Sequence, residues 1–122
     1  MKETTNNDTT NSDTQTGVTL AEGERGLVAH LEGNISVRNA ADIHRVLLGA
    51  WRERADGGEL LVDLEQARRI DSSGIGALME LVSDGVPLGL CNLQESPRRL
   101  LERTGLSRLF HIYPFCGEAP VN

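Results

Sequence analysis

Apolar residues along this chain fall into blocks whose spacing changes from two to three-and-four and back. Val18 and Leu20 alternate with polar neighbours, which predicts a short edge strand. Gly23-Glu24-Arg25-Gly26 reads as a turn, and Leu27, Ala29 and Leu31 then alternate with Val28, His30 and Glu32, the second arm of a hairpin ended by Gly33. Ser36 or Asn39 can cap a helix whose buried stripe is Ala40, Ile43, Leu47, Ala50 and Trp51. Arg38, Arg45, Arg52 and Arg54 fall mostly off that stripe, and Asp56-Gly57-Gly58 stops the helix. Leu60 to Leu64 is a nearly continuous apolar run interrupted only by Asp63, as in a central strand buried on both faces. Glu65 to Arg69 reads as a loop closed by Ile70.

A second helix follows, with Ile75, Leu78, Met79 and Val82 inward and Asp84-Gly85 at its end. Pro87 to Leu93 predicts another strand, with Leu88, Leu90 and Leu93 in the core. Ser96-Pro97 marks a helix start, a capping hydroxyl followed by proline at the first helical position. Leu100 and Leu101 face the core, Thr104-Gly105 is the stop, and Leu106, Leu109 and Phe110 pack the last turn. His111 to Phe115 forms a final short strand. The order β-β-α-β-α-β-α-β predicts an α/β fold: a mixed, mostly parallel sheet of about five strands with right-handed crossovers. Residues 1–16 have no apolar residue after Met1 and read as a disordered tail. The domain is expected over residues 17–116, with a short tail at 117–122.

Composition narrows the function classes. Aromatic residues make up only 3%, which leaves few platforms for stacking bases, and a net charge of -6 repels phosphate backbones and anionic membranes. No direct nucleic-acid binding and no membrane insertion are expected, and a protein or small-molecule partner is favoured. Lys2 is the only lysine, so a Schiff-base or phosphate-loop lysine is nearly excluded. Cys91 and Cys116 form no CxxC and have no histidine at zinc spacing. They are expected to be two reduced thiols in a cytoplasmic protein. His30, His44 and His111 are scattered and read as surface or half-buried residues rather than metal ligands. No apolar run is long enough to span a bilayer, and no signal-peptide core precedes the domain.

The chemistry concentrates in Asp71-Ser72-Ser73-Gly74-Ile75-Gly76, directly after a strand. Ile70 stands where a nucleophile elbow requires glycine. No Gly-Lys-Ser/Thr makes a phosphate loop, and Gly74-Ile75-Gly76 lacks the third glycine of a dinucleotide fingerprint. Neither a metal cluster nor a cofactor loop nor a catalytic dyad is visible, so no catalytic residue, metal or cofactor is assigned. Asp71 or Ser72 can cap the helix, with Ser73 as a further local cap, and the glycines then allow close packing against a strand. The crowding of hydroxyls at a helix N-terminus also fits a phosphate acceptor, because free N–H groups and the positive dipole end converge there. Gly74 and Gly76 would then leave room for a partner to approach.

Leu60-Leu61-Val62-Asp63-Leu64 followed by Ile70-Asp71-Ser72-Ser73-Gly74-Ile75-Gly76 strongly resembles the STAS domain of anti-sigma factor antagonists. So does the run from Cys91 to Leu106. The resemblance extends from about Gly17 to Phe115 and implies partner switching. An unphosphorylated antagonist binds an anti-sigma factor that is also a serine kinase and so frees a sigma factor. Phosphorylation of the serine after the motif aspartate, here Ser72, ends binding, and a metal-dependent serine phosphatase restores it. The implied switch surface is Asp71, Ser73, Gly74, Gly76, Asn34 and Ser36, on a monomer or weak dimer. The alternative within the family is a domain that does not switch, such as a small subunit of a lipid-transport ATPase.

Two departures stand out. Gly33-Asn34-Ile35-Ser36 replaces the family's Gly-Glu-Leu-Asp, so both acids are lost. The interval from Asp71 to Cys91 is also about four residues short, roughly one helical turn.

Overall fold

A computed structural model describes residues 17–23, 26–54 and 58–116. The expected tails at 1–16 and 117–122, and Asp56 and Gly57 of the helix stop, lie outside the described residues. The elements follow the expected order. They are β1 (Gly17–Glu22), β2 (Gly26–Ile35), α1 (Ala40–Arg52), β3 (Glu59–Ile70), α2 (Ser72–Ser83), β4 (Leu88–Cys91), α3 (Glu95–Thr104), a 3-10 turn (Leu106–Leu109) and β5 (His111–Tyr113). The five strands lie side by side in chain order. β1 is antiparallel to β2 and every later pair is parallel.

Alternation in β2 and β3 sorts the two faces of the sheet. Leu27, Ala29, Leu31, Leu60, Val62, Leu64, Leu88 and Leu90 point to one face. There they meet Ile43 and Leu47 of α1, Ile75, Leu78 and Leu81 of α2, and Leu101 of α3. This is the main core, built from aliphatic side chains. On the opposite face a small cluster of Val28, Leu61 and Cys91 lies against Tyr113 and Cys116.

Several details differ from the expectations, each for a local reason. Residues Glu65 to Arg69 are strand rather than loop. β2 does not stop at Gly33 but continues to Ile35, so its last residues pair with Gln66, Ala67, Arg69 and Ile70. Gly33, at φ +96°, absorbs one register shift there in a conformation other residues rarely adopt. Ala67, fully buried, anchors the extension.

α3 begins at Glu95 with Gln94 as its cap, so Pro97 sits at the third helical position. Its missing N–H costs nothing there, because first-turn donors have no intrahelical acceptor. Gly105 ends the helix at φ +74°, as expected of the stop signal. Leu109, expected to pack, is 46% exposed, whereas Phe110 is buried. On α2, Ile75 and Leu78 are buried as expected, and Ala77 and Leu81 join them, while Met79 and Val82 are only partly covered. The two cysteines are not reduced thiols: Cys91 and Cys116 form a disulfide across 25 residues. The pairing arises because β5 runs beside β4 and carries the following residues over the end of that strand.

Candidate functional site

Parallel pairing of β2 and β3 brings their C-terminal ends together. Asn34 lies opposite Arg69, and Ile35 opposite Ile70. Both strands then lead into helices at the same C-terminal end of the sheet, the usual place for a site in a sheet of this kind. The two connections are joined where the Asp71 N–H donates to the Ile35 carbonyl at 3.1 Å. The structure therefore gathers all the expected switch residues, Asn34, Ser36, Asp71, Ser72, Ser73, Gly74 and Gly76, around the C-terminal ends of β2 and β3.

Asp71 has extended backbone and caps α2. Its Oδ1 accepts from the Ser73 N–H at 2.9 Å and the Gly74 N–H at 3.1 Å, and its carbonyl accepts from Ile75 at 3.1 Å. One carboxylate thus does the capping that the sequence left open among Asp71, Ser72 and Ser73. The consequence falls on Ser72. It is the first residue of α2, it is exposed, and its hydroxyl has no hydrogen-bond partner among the described residues. Ser73, half-buried, is not the local cap.

The two glycines divide in role. Gly74 is buried, and a Cβ there would lie 2.7 Å from Cγ2 of both Ile35 and Ile70. It lets the helix start close on the two strand ends, which is the close-packing reading of the two glycines rather than the one that leaves room for a partner. A Cβ on Gly76 would meet nothing within 4 Å. Gly76 instead lines an open groove of about 360 Å³ between α1 and α2, with Val37, Ala40, Ala41, Ser73, Ala77 and Glu80. Val37 stands 74% exposed at its side.

The other connection, from β2 to α1, is organised by a residue that the sequence reading treated only as a possible cap. Asn39 is 6% exposed and makes no capping bond of its own. Its Oδ1 accepts from the Ser36 N–H at 2.9 Å and its Nδ2 donates to the Asn34 carbonyl at 2.9 Å. Asn34 and Ser36 are thereby fixed through their backbones. The Ser36 hydroxyl accepts from the Arg38 N–H at 3.3 Å. The Asn34 side chain is exposed at a position where the resembled pattern has an acid.

A second polar group lies on the sheet face away from the helices. The register places Thr19, His30, Asp63, Cys91 and Tyr113 in one row across all five strands. Burial works against the Asp63 charge, but donors from Asn92, the Glu65 N–H and His30, together with the His30 charge, outweigh it. They hold the carboxyl below its ordinary value. His30 Nδ1 is 2.6 Å from Asp63 Oδ2. Among the described residues, the donor atoms of Asp63, Cys91 and Cys116 lie within 4.8 Å of one another. An acid inside the run Leu60–Leu64 was the visible signal of this row, but its partners depend on register. The histidines fit their expected surface or half-buried setting, and each faces a carboxylate: Asp63 for His30, Asp84 for His44 and Glu59 for His111.

Comparison with known proteins agrees with this architecture. The family model described as STAS domain matches residues 14–119. An anti-sigma factor antagonist from Mycobacterium paratuberculosis is 21% identical, with a TM-score of 0.70 over 84% of this chain and 89% of that one. RsbS from Moorella thermoacetica, in a serine-to-glutamate form, is 18% identical, with a TM-score of 0.60 over 79% and 85%. The Bacillus cell fate determinant SpoIIAA, in its phosphorylated form, is 20% identical, with a TM-score of 0.55 over 80% and 92%. No curated protein sequence matches the chain. The five-stranded mixed sheet with three helices is the fold these structures share. The chain belongs to the STAS domain family.

Proposed function

We propose that this protein is an anti-sigma factor antagonist that works by partner switching, with Ser72 as the phosphate acceptor. The observation that carries the reading is the division of labour at the α2 N-terminus. Asp71 accepts from the Ser73 and Gly74 N–H groups, so Ser72 presents an exposed hydroxyl with no partner among the described residues, next in the chain to Ser73, which lines the groove between α1 and α2. SpoIIAA, which shares the fold, has been solved in phosphorylated and unphosphorylated forms, which supports the same chemistry here. The partner is an anti-sigma factor that is also a serine kinase, and it docks on the groove when Ser72 is unmodified. A metal-dependent serine phosphatase resets the chain. The protein acts in the cytoplasm and by binding rather than catalysis; no helix among the described residues is long and apolar enough to cross a membrane.

Phosphorylation adds about -1.5 to -2 charges. The first turn of α2 already holds the Asp71 carboxylate, so the phosphate meets a like charge rather than an empty anion site. Placing it in a packed interface costs about 2–5 kcal/mol of binding. That weakens the complex by roughly one and a half to three and a half orders of magnitude.

The test is capture from the native cell. Unmodified chain and Ser72→Ala should retain the same serine kinase, and Ser72→Asp should lose it. Phosphopeptide mapping should place the modification at Ser72. Phosphate found only on Ser73, or equal capture by all three forms, would refute the assignment. Retention of transporter subunits in place of a kinase would favour the domain that does not switch.

A further inference from the structure

The sheet face opposite the helices holds chemistry that a switch at Ser72 does not use. Cys91 ends β4 with no exposed surface, and Cys116 lies three residues beyond β5, partly exposed. Their Cα atoms are 5.2 Å apart, inside the range of about 4.4–6.8 Å that a disulfide bridges without moving the backbone. The segment this bond holds is otherwise lightly attached. β5 has three residues, forms the sheet edge, and meets β4 through three register pairs. Its side-chain links include those of His111 and Tyr113 to Glu59, at 3.0 and 3.1 Å. Beneath Tyr113 and Cys116 lie Val28 and Leu61, both buried.

We propose that Cys91–Cys116 is a reversible thiol–disulfide site whose substrate is a dithiol reductant, and that its reduction releases β5 from the sheet edge. The two sulfurs are not equivalent. A reductant thiolate reaches the partly exposed Cys116 Sγ, forms a mixed disulfide there, and displaces Cys91 as a thiolate. That thiolate is buried beside the Asp63 carboxylate, which disfavours a second negative charge, so it takes a proton. The His30–Asp63 pair, with a half-exposed imidazole, leads from solvent to this position. The reductant's second thiol then attacks its own sulfur in the mixed disulfide and expels Cys116, which is protonated in turn. Two electrons and two protons pass to the protein, and the reductant leaves as its own disulfide. The reverse reaction, with a disulfide oxidant, closes the bond again.

A metal site in the reduced state competes for the same sulfurs, but the geometry disfavours it. Asp63 Oδ1 already accepts from the Asn92 side chain and the Glu65 N–H, each at 3.0 Å, and Oδ2 accepts from His30. A metal would have to displace some of these donors.

The experiment uses the whole chain equilibrated with either reduced or oxidised dithiothreitol. Thiols are counted by alkylation in denaturant, and amide exchange is followed by mass spectrometry. The oxidised chain should take no label and run as a monomer on a non-reducing gel; the reduced chain should take two. Exchange over Gly89–Cys91 and His111–Tyr113 should rise by at least roughly tenfold on reduction, with α1 and α2 unchanged. Cys116→Ser should show the reduced exchange pattern, and one labelled thiol, in both conditions. Cys91→Ala, which keeps an apolar side chain in the core, should do the same, so misfolding of one variant does not decide the result. Two reactive thiols after oxidation, a bond formed only between chains, or unchanged exchange on reduction would overturn the proposal. So would a reduced chain that binds one zinc ion and keeps β5 protected. None of these readouts depends on Ser72.

Discussion

Two helices begin at the same C-terminal end of the sheet, and their starts are built in opposite ways. At α1 the boundary residue Asn39 is buried and turns its amide back toward the strand, holding Ser36 and Asn34. At α2 the boundary residue Asp71 is exposed and turns forward, capping the helix through Ser73 and Gly74. The first start is scaffolding. The second is a display, because a cap made by one residue leaves the next hydroxyl, Ser72, available. The difference teaches that hydroxyl-rich helix starts are not equivalent, and what separates them is which side chain has already answered the free N–H groups.

Substitutions at the two starts should separate these roles. The largest effect is expected from Asn39→Ala, which removes a buried side chain and its two part-buried hydrogen bonds to the β2–α1 connection. Destabilisation of about 1–3 kcal/mol should appear in urea unfolding, at about 0.5–1.5 kcal/mol for each of the two lost hydrogen bonds. Gly74→Ala should follow at about 1–3 kcal/mol, because its Cβ must push Ile35 and Ile70 apart. Asp71→Ala removes the cap and should cost about 1 kcal/mol, with Asp71→Asn recovering most of it in the same measurement. Gly76→Ala should leave stability unchanged or raise it by up to ~1 kcal/mol while weakening capture of the kinase, since only the groove feels the added methyl. The smallest change in stability is expected for Ser72→Ala, within about 0.5 kcal/mol, despite complete loss of phosphate at that position. A large destabilisation by Ser72→Ala, or none by Asn39→Ala, would break the contrast.

Much of this arrangement is legible in the sequence, and the exceptions share a cause. Alternation in Leu27–Leu31, the run Leu60–Leu64 and the stripe through Ile43 and Leu47 are local patterns imposed by burial, so elements and core could be read directly. The loop proposed as acceptor stands out because its residue types are unusual at that spacing. What could not be read depends on register between distant strands. Residues Glu65 to Arg69 look like a loop because their side chains are mostly polar, yet their backbones pair with the end of β2. Gly74 looks like an opening toward a partner until Ile35 is placed beside it. Cys91 and Cys116 carry no spacing signal, because their meeting depends on β5 lying beside β4.

The bond from the Asp71 N–H to the Ile35 carbonyl bears on how such a switch conveys its state. It pins the acceptor loop to the end of a strand whose last residue is buried in the main core, and Gly74 leaves no slack beneath it. Under the proposed function, a modified Ser72 would sit on a platform that has nowhere to go. The two states of the protein should share one shape and differ in what their surface tolerates, so the message resides in the partner's failure to dock rather than in a movement of this chain.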